Sequence, residues 1–247
     1  MRTAALGIMC KAPRPGATKT RLAALLGPEN AAALSACFLR DVAASIEAVP
    51  QALGRRGYGV YAPAGSEAEL LAILPSSFGL MLQTDSDFGI VLLSAARELL
   101  GAGHDCVLLI NSDSPTLPLR LLCEGIEALR RPGDRVVIGP ATDGGYYLIG
   151  LKTAHAALFR GIPWSTSEVC RLTVERARGM LLDVVMLPVW YDIDDQATLA
   201  LLEEELAGGR PPFAQRDLVG GEAAATRDFL AALRMRRNAS SAVAINR

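Results

Sequence analysis

The sequence is poor in histidine and contains no closely spaced cysteine pair. Two histidines occur among 247 residues, His104 and His155, and neither stands at a spacing typical of metal ligands. This disfavours His-based zinc sites and His-dependent catalysis. Five cysteines are scattered singly among apolar residues. That pattern favours reduced thiols in a cytoplasmic protein over a disulfide framework.

The chain also lacks a charge excess and a long apolar run. It carries 25 Lys and Arg against 26 Asp and Glu, a formal net charge of -1. A nucleic-acid partner is therefore not expected, because no basic excess is available to neutralise phosphates. No stretch reaches the ~18 apolar residues of a membrane-spanning helix, and the apolar N-terminal run is too short for a secretory signal. We expect neither a nucleic acid nor a membrane among the partners.

Short apolar segments alternate with longer amphipathic ones along the chain. Residues 106–110 include no polar side chain, which is typical of a central strand covered on both faces. The pattern predicts strands at residues 4–10, 58–62, 79–83, 106–110, 135–139, 146–151 and 183–188. It predicts helices at residues 30–49, 67–74, 89–100, 118–129, 167–178, 196–207 and 223–236. This order indicates an α/β fold, a three-layer sandwich with a mainly parallel, doubly wound central sheet.

The composition changes near the C-terminal end. Residues 208–222 contain two prolines and four glycines, which is typical of a loop or hinge. We therefore predict one domain over residues 1–207 and a helical appendage over residues 208–236. Residues 237–247 are predicted to form a disordered basic tail.

A cationic loop directly follows the first predicted strand. It contains Lys11, Arg14, Lys19 and Arg21, together with two prolines and a glycine. The loop matches neither the dinucleotide fingerprint nor the P-loop. Ligands of α/β sheets bind beyond the carboxyl ends of strands. This position favours a polyphosphate site over a solvated turn.

Two acidic segments follow other strands. Asp113 comes after the apolar strand at residues 106–110, where it could bind Mg²⁺ or form an Asx turn or helix N-cap. Asp192, Asp194 and Asp195 place three carboxylates within four positions, which requires a nearby cation or helix N-terminus. Asp194 and Asp195 could also cap the helix predicted from Gln196.

Two further loops carry candidate ligand contacts. Asp143, Gly144 and Gly145 indicate a tight turn, and on their own they favour a hairpin. The glycine pair would also let the backbone approach a ligand closely. Trp164 precedes three hydroxyl residues, which could contact an anion or a sugar or could cap a helix.

In this order the five segments resemble the nucleotide-diphospho-sugar transferase superfamily with the GT-A fold. More narrowly, the chain resembles the bacterial DUF2064 family of transferases. The resemblance spans residues 4–202 and also extends to molybdenum-cofactor and phospholactate guanylyltransferases. The matching stretches are KAPRPGATKTRL at residues 11–22, SDSPTLP at 112–118, GPATDGGYYLIGL at 139–151, IPWSTSE at 162–168 and YDID at 191–194.

The resemblance implies a set of site residues. Asp113 would be the main metal ligand, with Asp194 as the second ligand or its support and Asp192 as the competing choice. Lys19, Arg21 and Asp113 would act in catalysis. The nucleotide would be bound by Lys11, Arg14, Gly16, Lys19, Thr20, Arg21, Asp85 and Asp87. The acceptor would be bound by Thr142, Asp143, Gly144, Gly145, Tyr146, Trp164, Ser165 and Thr166.

Departures from the family pattern occur in three segments of the chain. Thr84 and Val91 occupy positions where relatives carry a glycine and a basic residue. Asn111 replaces a glycine, and Asp195-Gln196 replaces Thr-Pro. The departures at residues 83–92 affect a segment expected to contribute to the choice of base or to acceptor binding.

The expected activity is nucleotidyl transfer. With Mg²⁺ or Mn²⁺, a nucleoside triphosphate would react with a phosphorylated or oxyanion small molecule, and pyrophosphate would leave. The alternative is glycosyl transfer from a nucleotide-diphospho-sugar. Four cations in one loop suit a triphosphate better. A non-catalytic nucleotide-binding module is disfavoured because Asp113 and Asp194 are retained. The expected partners are a nucleotide and a small-molecule acceptor, and the sequence leaves monomer and homodimer open.

Overall fold

The protein is built on one seven-stranded sheet. The computed structural model describes residues 2–245, without the side chains of residue 237 and residues 240–245. In chain order β1 to β7 are Ala4–Lys11, Arg55–Ala62, Gly79–Leu82, Cys106–Asn111, Arg135–Pro140, Tyr146–Leu151 and Asp183–Met186. Their spatial order is β3-β2-β1-β4-β6-β5-β7. β6 is antiparallel to both neighbours, and the other paired strands are parallel.

Helices cover both faces of this sheet. They are α1 Thr20–Leu26, α2 Pro28–Ala48, α3 Glu67–Leu71, α4 Phe88–Gly101, α5 Leu119–Arg130, α6 Ala156–Phe159, α7 Val169–Gly179, α8 Gln196–Leu206 and α9 Ala224–Ile245. A short 3-10 turn covers Gln51–Leu53. Successive residues of β4 enter opposite cores, with Leu108 on the α2 side and Leu109 on the α4 side. The predicted three-layer, mainly parallel α/β fold is confirmed.

The strand order places one crevice near the middle of the sheet. β1 pairs with β2 on one side and with β4 on the other, so the chain changes direction across the sheet at this point. The carboxyl ends of β1, β4, β5 and β7 lie along the same edge, which we call the carboxyl edge. The loops after these four strands can therefore contribute to one site.

The helices differ from the predictions at three places. α1 and α6, of seven and four residues and without side-chain caps, were not predicted. α9 was predicted to end at residue 236 but continues to Ile245. Residues 237–245 have helical backbone, and the disorder predicted for this tail stays a prediction. The rest of the predicted tail, residues 246 and 247, lies outside the described residues.

α9 is anchored to α2 by a buried carboxylate. Asp41 accepts hydrogen bonds from the backbone amides of Ala225 and Thr226, both at 2.9 Å. It is 5% exposed, and burial raises its pKa. Asp41 therefore satisfies two of the amides that the N-terminus of α9 leaves without helical partners.

The segment between α8 and α9 returns to the carboxyl edge. The amide of Gly221 donates to the carbonyl of Thr116, and the ring of Phe213 packs against Trp190 and Tyr191. The domain boundary near residue 207 stays a prediction. No helix within residues 2–245 combines the length and apolar character needed to cross a membrane.

Candidate active site

Lys19 joins two acidic segments across the carboxyl edge. Its ammonium Nζ lies 3.1 Å from Oδ1 of Asp113 and 2.7 Å from Oδ1 of Asp194. It also donates to the backbone carbonyl of Ile193 at 2.6 Å. The loop after β1 thus meets the segments after β4 and β7. The Lys19 side chain is only 6% exposed, so these three oxygens replace its hydration.

The two carboxylates determine the charge of this lysine. Burial alone would lower the pKa of Lys19, but the opposing effect of Asp113 and Asp194 is larger and raises it. Lys19 therefore stays protonated at neutral pH. Its backbone lies in the left-handed region, with φ 51° and ψ 48°, immediately before α1. Such a conformation is unfavourable for a lysine and persists where the surroundings impose it.

Hydrogen bonds to the backbone hold the two acidic segments together. The hydroxyl of Ser114, which is fully buried, donates to the carbonyl of Tyr191 at 2.7 Å. The amide of Ile193 donates to the carbonyl of Asp113 at 2.9 Å. These two contacts fix the residues before and after Asp192 against the end of β4.

The structure resolves the capping alternatives. Asp195 caps α8, accepting from the amide of Thr198 at 2.9 Å, and Thr198 completes a capping box. Asp194 faces Lys19 instead. Asp113 is not an N-cap, because α5 begins at Leu119 after Pro118. The first of the three carboxylates after β7, Asp192, neither caps α8 nor pairs with Lys19.

Asp192 lies in an acidic environment. Its pKa is raised to about 7, first by burial and then by the charges of Asp143, Asp194 and Asp113, while Lys19 opposes the shift. Asp143, predicted to bind the acceptor, is thus an electrostatic neighbour of the proposed metal ligands. Four carboxylates and one ammonium therefore share this part of the carboxyl edge.

The oxygen atoms around Lys19 suit a hard divalent cation. Two carboxylates and one carbonyl already surround a positive charge there, and Mg²⁺ binds through one or two carboxylates plus water and substrate phosphates. Among residues 2–245 no set of three His, Cys, Asp or Glu side chains is arranged to hold a metal unaided. Asp113 and Asp194 could therefore hold a metal whose remaining ligands come from water and phosphate.

The other cations of the loop differ in how they are bound. Arg14 forms two hydrogen bonds with Glu69, at 2.7 and 3.2 Å, and one with Ser66 at 3.1 Å. Its guanidinium is therefore bound to α3. Lys11 and Arg21 are exposed and make no ion pair with any described residue. They are the cations of this loop that remain free for a ligand.

Two small residues of the same loop are exposed. Gly16 has a φ of 76°, and a Cβ added there would meet no heavy atom within 4 Å, so it lies at an open turn. Thr20 begins α1. Both residues are exposed and are close to Lys19 in the sequence. No steric obstacle therefore opposes the nucleotide contacts predicted at these two positions.

The segment after β3 uses its acidic residues locally. Asp87 caps α4, accepting from the amide of Ile90 at 3.0 Å, and Asp85 accepts from the amide of Asp87 at 2.8 Å. Phe88 meets Trp164 edge to face, with 5.3 Å between the ring centroids. Trp164, predicted to contact the acceptor, is therefore beside the segment predicted to contact the nucleotide.

The turn between β5 and β6 contacts the segment before α7. The predicted hairpin is confirmed by the antiparallel pairing of β5 and β6. Gly144 has a φ of 92°, and a Cβ there would lie 2.2 Å from the carbonyl oxygen of Ser167. The carbonyl of Gly144 also accepts from the amide of Cys170 at 2.9 Å. Only glycine permits this approach, so the two predicted acceptor segments form one unit.

The remaining acceptor residues differ in exposure. Thr142 and Asp143 are exposed, and the amide of Gly145 donates to Asp143 at 2.8 Å. Thr166 donates to the carbonyl of Pro163 at 2.7 Å. Ser165 is exposed and has a φ of 64°.

Tyr146 faces the protein interior. It packs against the core below α7, and its buried hydroxyl lies beside Thr173. Burial raises its pKa. The hydroxyl of Tyr146 therefore faces α7, and the acceptor contact that the resemblance implies for this residue stays a prediction.

A groove opens beside this unit. It has a volume of about 420 Å³ and is lined by the ends of β5 and β7 and by α7. Its lining includes Gly144, Ser167, Met186 and Arg178. Burial and then the charge of Asp143 raise the pKa both of Cys170, which lines the groove, and of Asp192. All five cysteines are free, as predicted.

Three contacts of the site were not predicted from the sequence. They are the carbonyl of Ile193, the hydroxyl of Ser114 and the pairing of Arg14 with Glu69. The first is a backbone atom, which sequence does not distinguish. The other two join residues that are far apart in the sequence: Ser114 and Tyr191 are separated by 77 positions, and Arg14 and Glu69 by 55. No local sequence signal encodes such contacts.

Comparison with solved structures places this architecture in a known class. A protein from Desulfovibrio desulfuricans G20, provisionally named a nucleotide-diphospho-sugar transferase, is 29% identical; the match covers 95% of this chain and 98% of that one, with a TM-score of 0.79. CMP:2-keto-3-deoxy-manno-octonic acid synthetase complexed with CTP is 12% identical, covering 83% and 99%, with a TM-score of 0.55. 4-Diphosphocytidyl-2C-methyl-D-erythritol synthase is 11% identical; the match covers 82% of this chain and 97% of that one, with a TM-score of 0.52.

The fold is therefore that of the nucleotide-diphospho-sugar transferase and nucleotidyltransferase class. A family model described as "Uncharacterized protein conserved in bacteria (DUF2064)" matches residues 36–166, more than half of the chain. The chain belongs to this family, as its motifs predicted. A search of curated proteins found no match.

Proposed function

We propose that the chain is a nucleotidyltransferase that uses Mg²⁺ or Mn²⁺. The observation that carries this proposal is the meeting of Lys19 with Asp113 and Asp194 at the crevice of the sheet. One cationic loop and two carboxylates in contact provide the charges needed to bind a nucleotide polyphosphate together with a metal. Both the fold class and the family agree with a transferase that uses a nucleotide.

The reaction would need little proton chemistry from the protein. An oxyanion of the acceptor would attack the α-phosphorus in line, and the bond from that phosphorus to the bridging oxygen of the β-phosphate would break. Pyrophosphate would leave with the bonding electrons. A metal bound by Asp113 and Asp194 would polarise phosphate oxygens. Positioning and electrostatic stabilisation then supply most of the rate, in agreement with the scarcity of histidine.

Individual residues would act on different parts of the nucleotide. The exposed cations Lys11 and Arg21 would bind the β- and γ-phosphates, and Lys19 would stabilise charge on the α-phosphate and on departing pyrophosphate. Gly16 and Thr20 would let the loop close on the phosphates. The remaining cation, Arg14, is bound to α3. It would shape the binding site around the phosphates together with Asp85 and Asp87.

The acceptor would occupy the unit formed by the β5–β6 turn and the segment before α7. Thr142, Asp143 and the glycine backbone lie at the carboxyl edge on the same side as Asp192. The adjoining groove would hold the part of the acceptor remote from its reacting oxygen. Its polar and apolar lining suits a small molecule that carries a phosphate or carboxylate on a carbon skeleton.

The second candidate is glycosyl transfer from a nucleotide-diphospho-sugar. It is favoured by the 29% identity to the Desulfovibrio protein named for that class. In this reaction the same metal would hold the nucleoside diphosphate that leaves. Nucleotidyl transfer comes first because the loop keeps two exposed cations, Lys11 and Arg21, in addition to the metal that would hold a diphosphate.

One assay separates these activities. The protein is incubated with each nucleoside triphosphate, Mg²⁺, inorganic pyrophosphatase and a pool of phosphorylated acceptors, and in parallel with nucleotide sugars. Nucleotidyl transfer predicts phosphate release that requires both triphosphate and acceptor. Release of nucleoside diphosphate from a nucleotide sugar supports glycosyl transfer instead. Asp113→Asn should abolish either activity at saturating Mg²⁺, whereas near-normal turnover would contradict the proposed metal site.

The proposed partners are a nucleotide, a divalent cation and a small acceptor, with neither nucleic acid nor membrane involved. Five unpaired cysteines support a reducing compartment, which we propose is the cytoplasm.

A further inference from the structure

The Lys19 ammonium occupies the position that the proposed function assigns to a metal ion. Its three hydrogen-bonded oxygens belong to Asp113, Asp194 and Ile193. A divalent cation bound to both carboxylates would need the Oδ1 atoms that already face Nζ, or atoms beside them. Two positive centres cannot share that space, because their repulsion at such a distance in a buried site is large.

We propose that Lys19 is a built-in competitor of the metal ion, and that nucleotide phosphates release this competition. Without nucleotide, the ammonium pairs with Asp113 and Asp194 and keeps divalent cations out. When a nucleotide arrives, its phosphates offer the ammonium new acceptors, and the two carboxylates become available to the metal. The inference rests on the proposed metal dependence and adds an order to the binding events.

The position of Lys19 in the fold makes such an exchange feasible. It lies at the junction between the exposed loop and α1, where both the loop and the first residues of the helix, Thr20 and Arg21, face solvent. Its left-handed backbone, at φ 51°, is unfavourable for a lysine. A rotation of the side chain toward the loop requires no change of this backbone, and it would carry the charge toward the bound phosphates.

The ion pairs of Lys19 also explain why competition between its ammonium and a metal ion is useful to the protein. Asp192 and Asp143 add two more carboxylates close to Asp113 and Asp194. A group of four acids with no counter-charge would attract any divalent cation and would destabilise the fold. The buried ammonium prevents both effects until the nucleotide binds.

The test measures Mn²⁺ binding to the full chain without nucleotide. Isothermal titration of the wild-type protein is compared with Lys19→Met, which keeps an unbranched side chain one atom shorter and removes its charge. We expect Lys19→Met to bind Mn²⁺ at least about tenfold more tightly, a difference of ~1.4 kcal/mol. Lys152→Met is the matched control, since Lys152 donates to the backbone carbonyls of Arg131 and Gly133, away from the proposed metal site. It should bind Mn²⁺ as the wild type does.

A second measurement uses the wild-type protein and stays informative if Lys19→Met fails to fold. The chain contains three lysines, Lys11, Lys19 and Lys152, so nuclear magnetic resonance of ¹⁵N-labelled ammonium groups can resolve each one. Without metal, Lys19 should give a slowly exchanging, hydrogen-bonded ammonium signal. Saturating Mg²⁺ with inorganic tripolyphosphate should shift or abolish that signal and leave Lys152 unchanged.

The outcomes separate this inference from the proposed function. Equal Mn²⁺ affinity of wild type and Lys19→Met, at a site lost in Asp113→Asn, would overturn the competition and leave the metal site standing. An unchanged Lys19 signal while Mg²⁺ and tripolyphosphate bind would overturn it in the same way. If neither protein binds Mn²⁺ at all, with or without tripolyphosphate, both the competition and the proposed metal dependence are wrong.

Discussion

Nζ of Lys19 and Oδ1 of Asp194 lie 2.7 Å apart although 175 residues separate them in the chain. This pair closes the crevice between the loop after β1 and the segment after β7. It neutralises one of four neighbouring carboxylates and ties α1 to the start of α8. The proposed chemistry of the protein depends on how this contact changes when a nucleotide and a metal ion arrive.

Arg21 should contribute to nucleotide affinity and little to stability. Its guanidinium is exposed and available to phosphate, and, after the hydrogen bonds from Thr198, its charge also contributes to the lowered pKa of Asp195. Arg21→Ala should weaken binding of a nucleoside triphosphate about tenfold in isothermal titration with Mg²⁺, with an unchanged melting temperature. Arg97→Ala, an equally exposed change on α4, should leave the affinity as it is. Unaltered affinity in Arg21→Ala would remove this residue from the site.

Asp192 should make the metal-free protein less stable as the pH rises. Its pKa in the folded state is about 7, against 3.8 when unperturbed. Between these values the folded state binds more protons than the unfolded state, so the free energy of unfolding falls with increasing pH. Asp192→Asn should therefore raise the melting temperature at pH 8 and have a much smaller effect at pH 5.

Metal-free melting curves between pH 5 and pH 8 check this prediction. Asp228→Asn, on an exposed position of α9, serves as the control and should change stability equally at both pH values. If Asp192→Asn behaves in the same way as the control, Asp192 is not an uncompensated acid in the folded protein.

Gly144 should be needed for the contact between the two acceptor segments. A Cβ at this position would lie 2.2 Å from the carbonyl oxygen of Ser167, and its φ of 92° is unfavourable for other residues. Gly144→Ala should lower the free energy of unfolding by more than about 2 kcal/mol in urea titrations. Gly16→Ala measures the cost of the positive φ alone, because φ is 76° at Gly16 and an added Cβ would meet no neighbouring atom. It should cost only about 1 kcal/mol, and equal losses would argue against a steric role for Ser167.

The sequence predicts the sheet well because the apolar pattern of its strands is local. Residues 106–110 contain no polar side chain and form the buried strand β4, and Asp113 follows that strand at the carboxyl edge. Asp195 caps α8 as one of the predicted alternatives. In each case the deciding information lies within a few neighbouring residues.

Long-range charge pairing limits what the sequence predicts about the site. Lys19 and Arg14 were both expected to bind phosphate, yet Lys19 pairs with Asp113 and Asp194, and Arg14 pairs with Glu69. These partners are set by which loops the fold brings together, and the local pattern of charges is the same in either case. α1 was missed for a related reason, because its N-cap Lys19 is held in place by those distant acids and not by a capping signal of its own.

The most direct test of the proposed site is the position of a metal ion in crystals. Crystals grown with a nucleoside triphosphate and Mn²⁺ are measured at the manganese absorption edge. We expect an anomalous peak within coordination distance of Asp113 and Asp194, with phosphate oxygens completing the coordination and Lys19 turned toward the phosphates. A bound nucleotide with no peak at these carboxylates, and with Lys19 still bridging them, would contradict both the metal site and the exchange at Lys19.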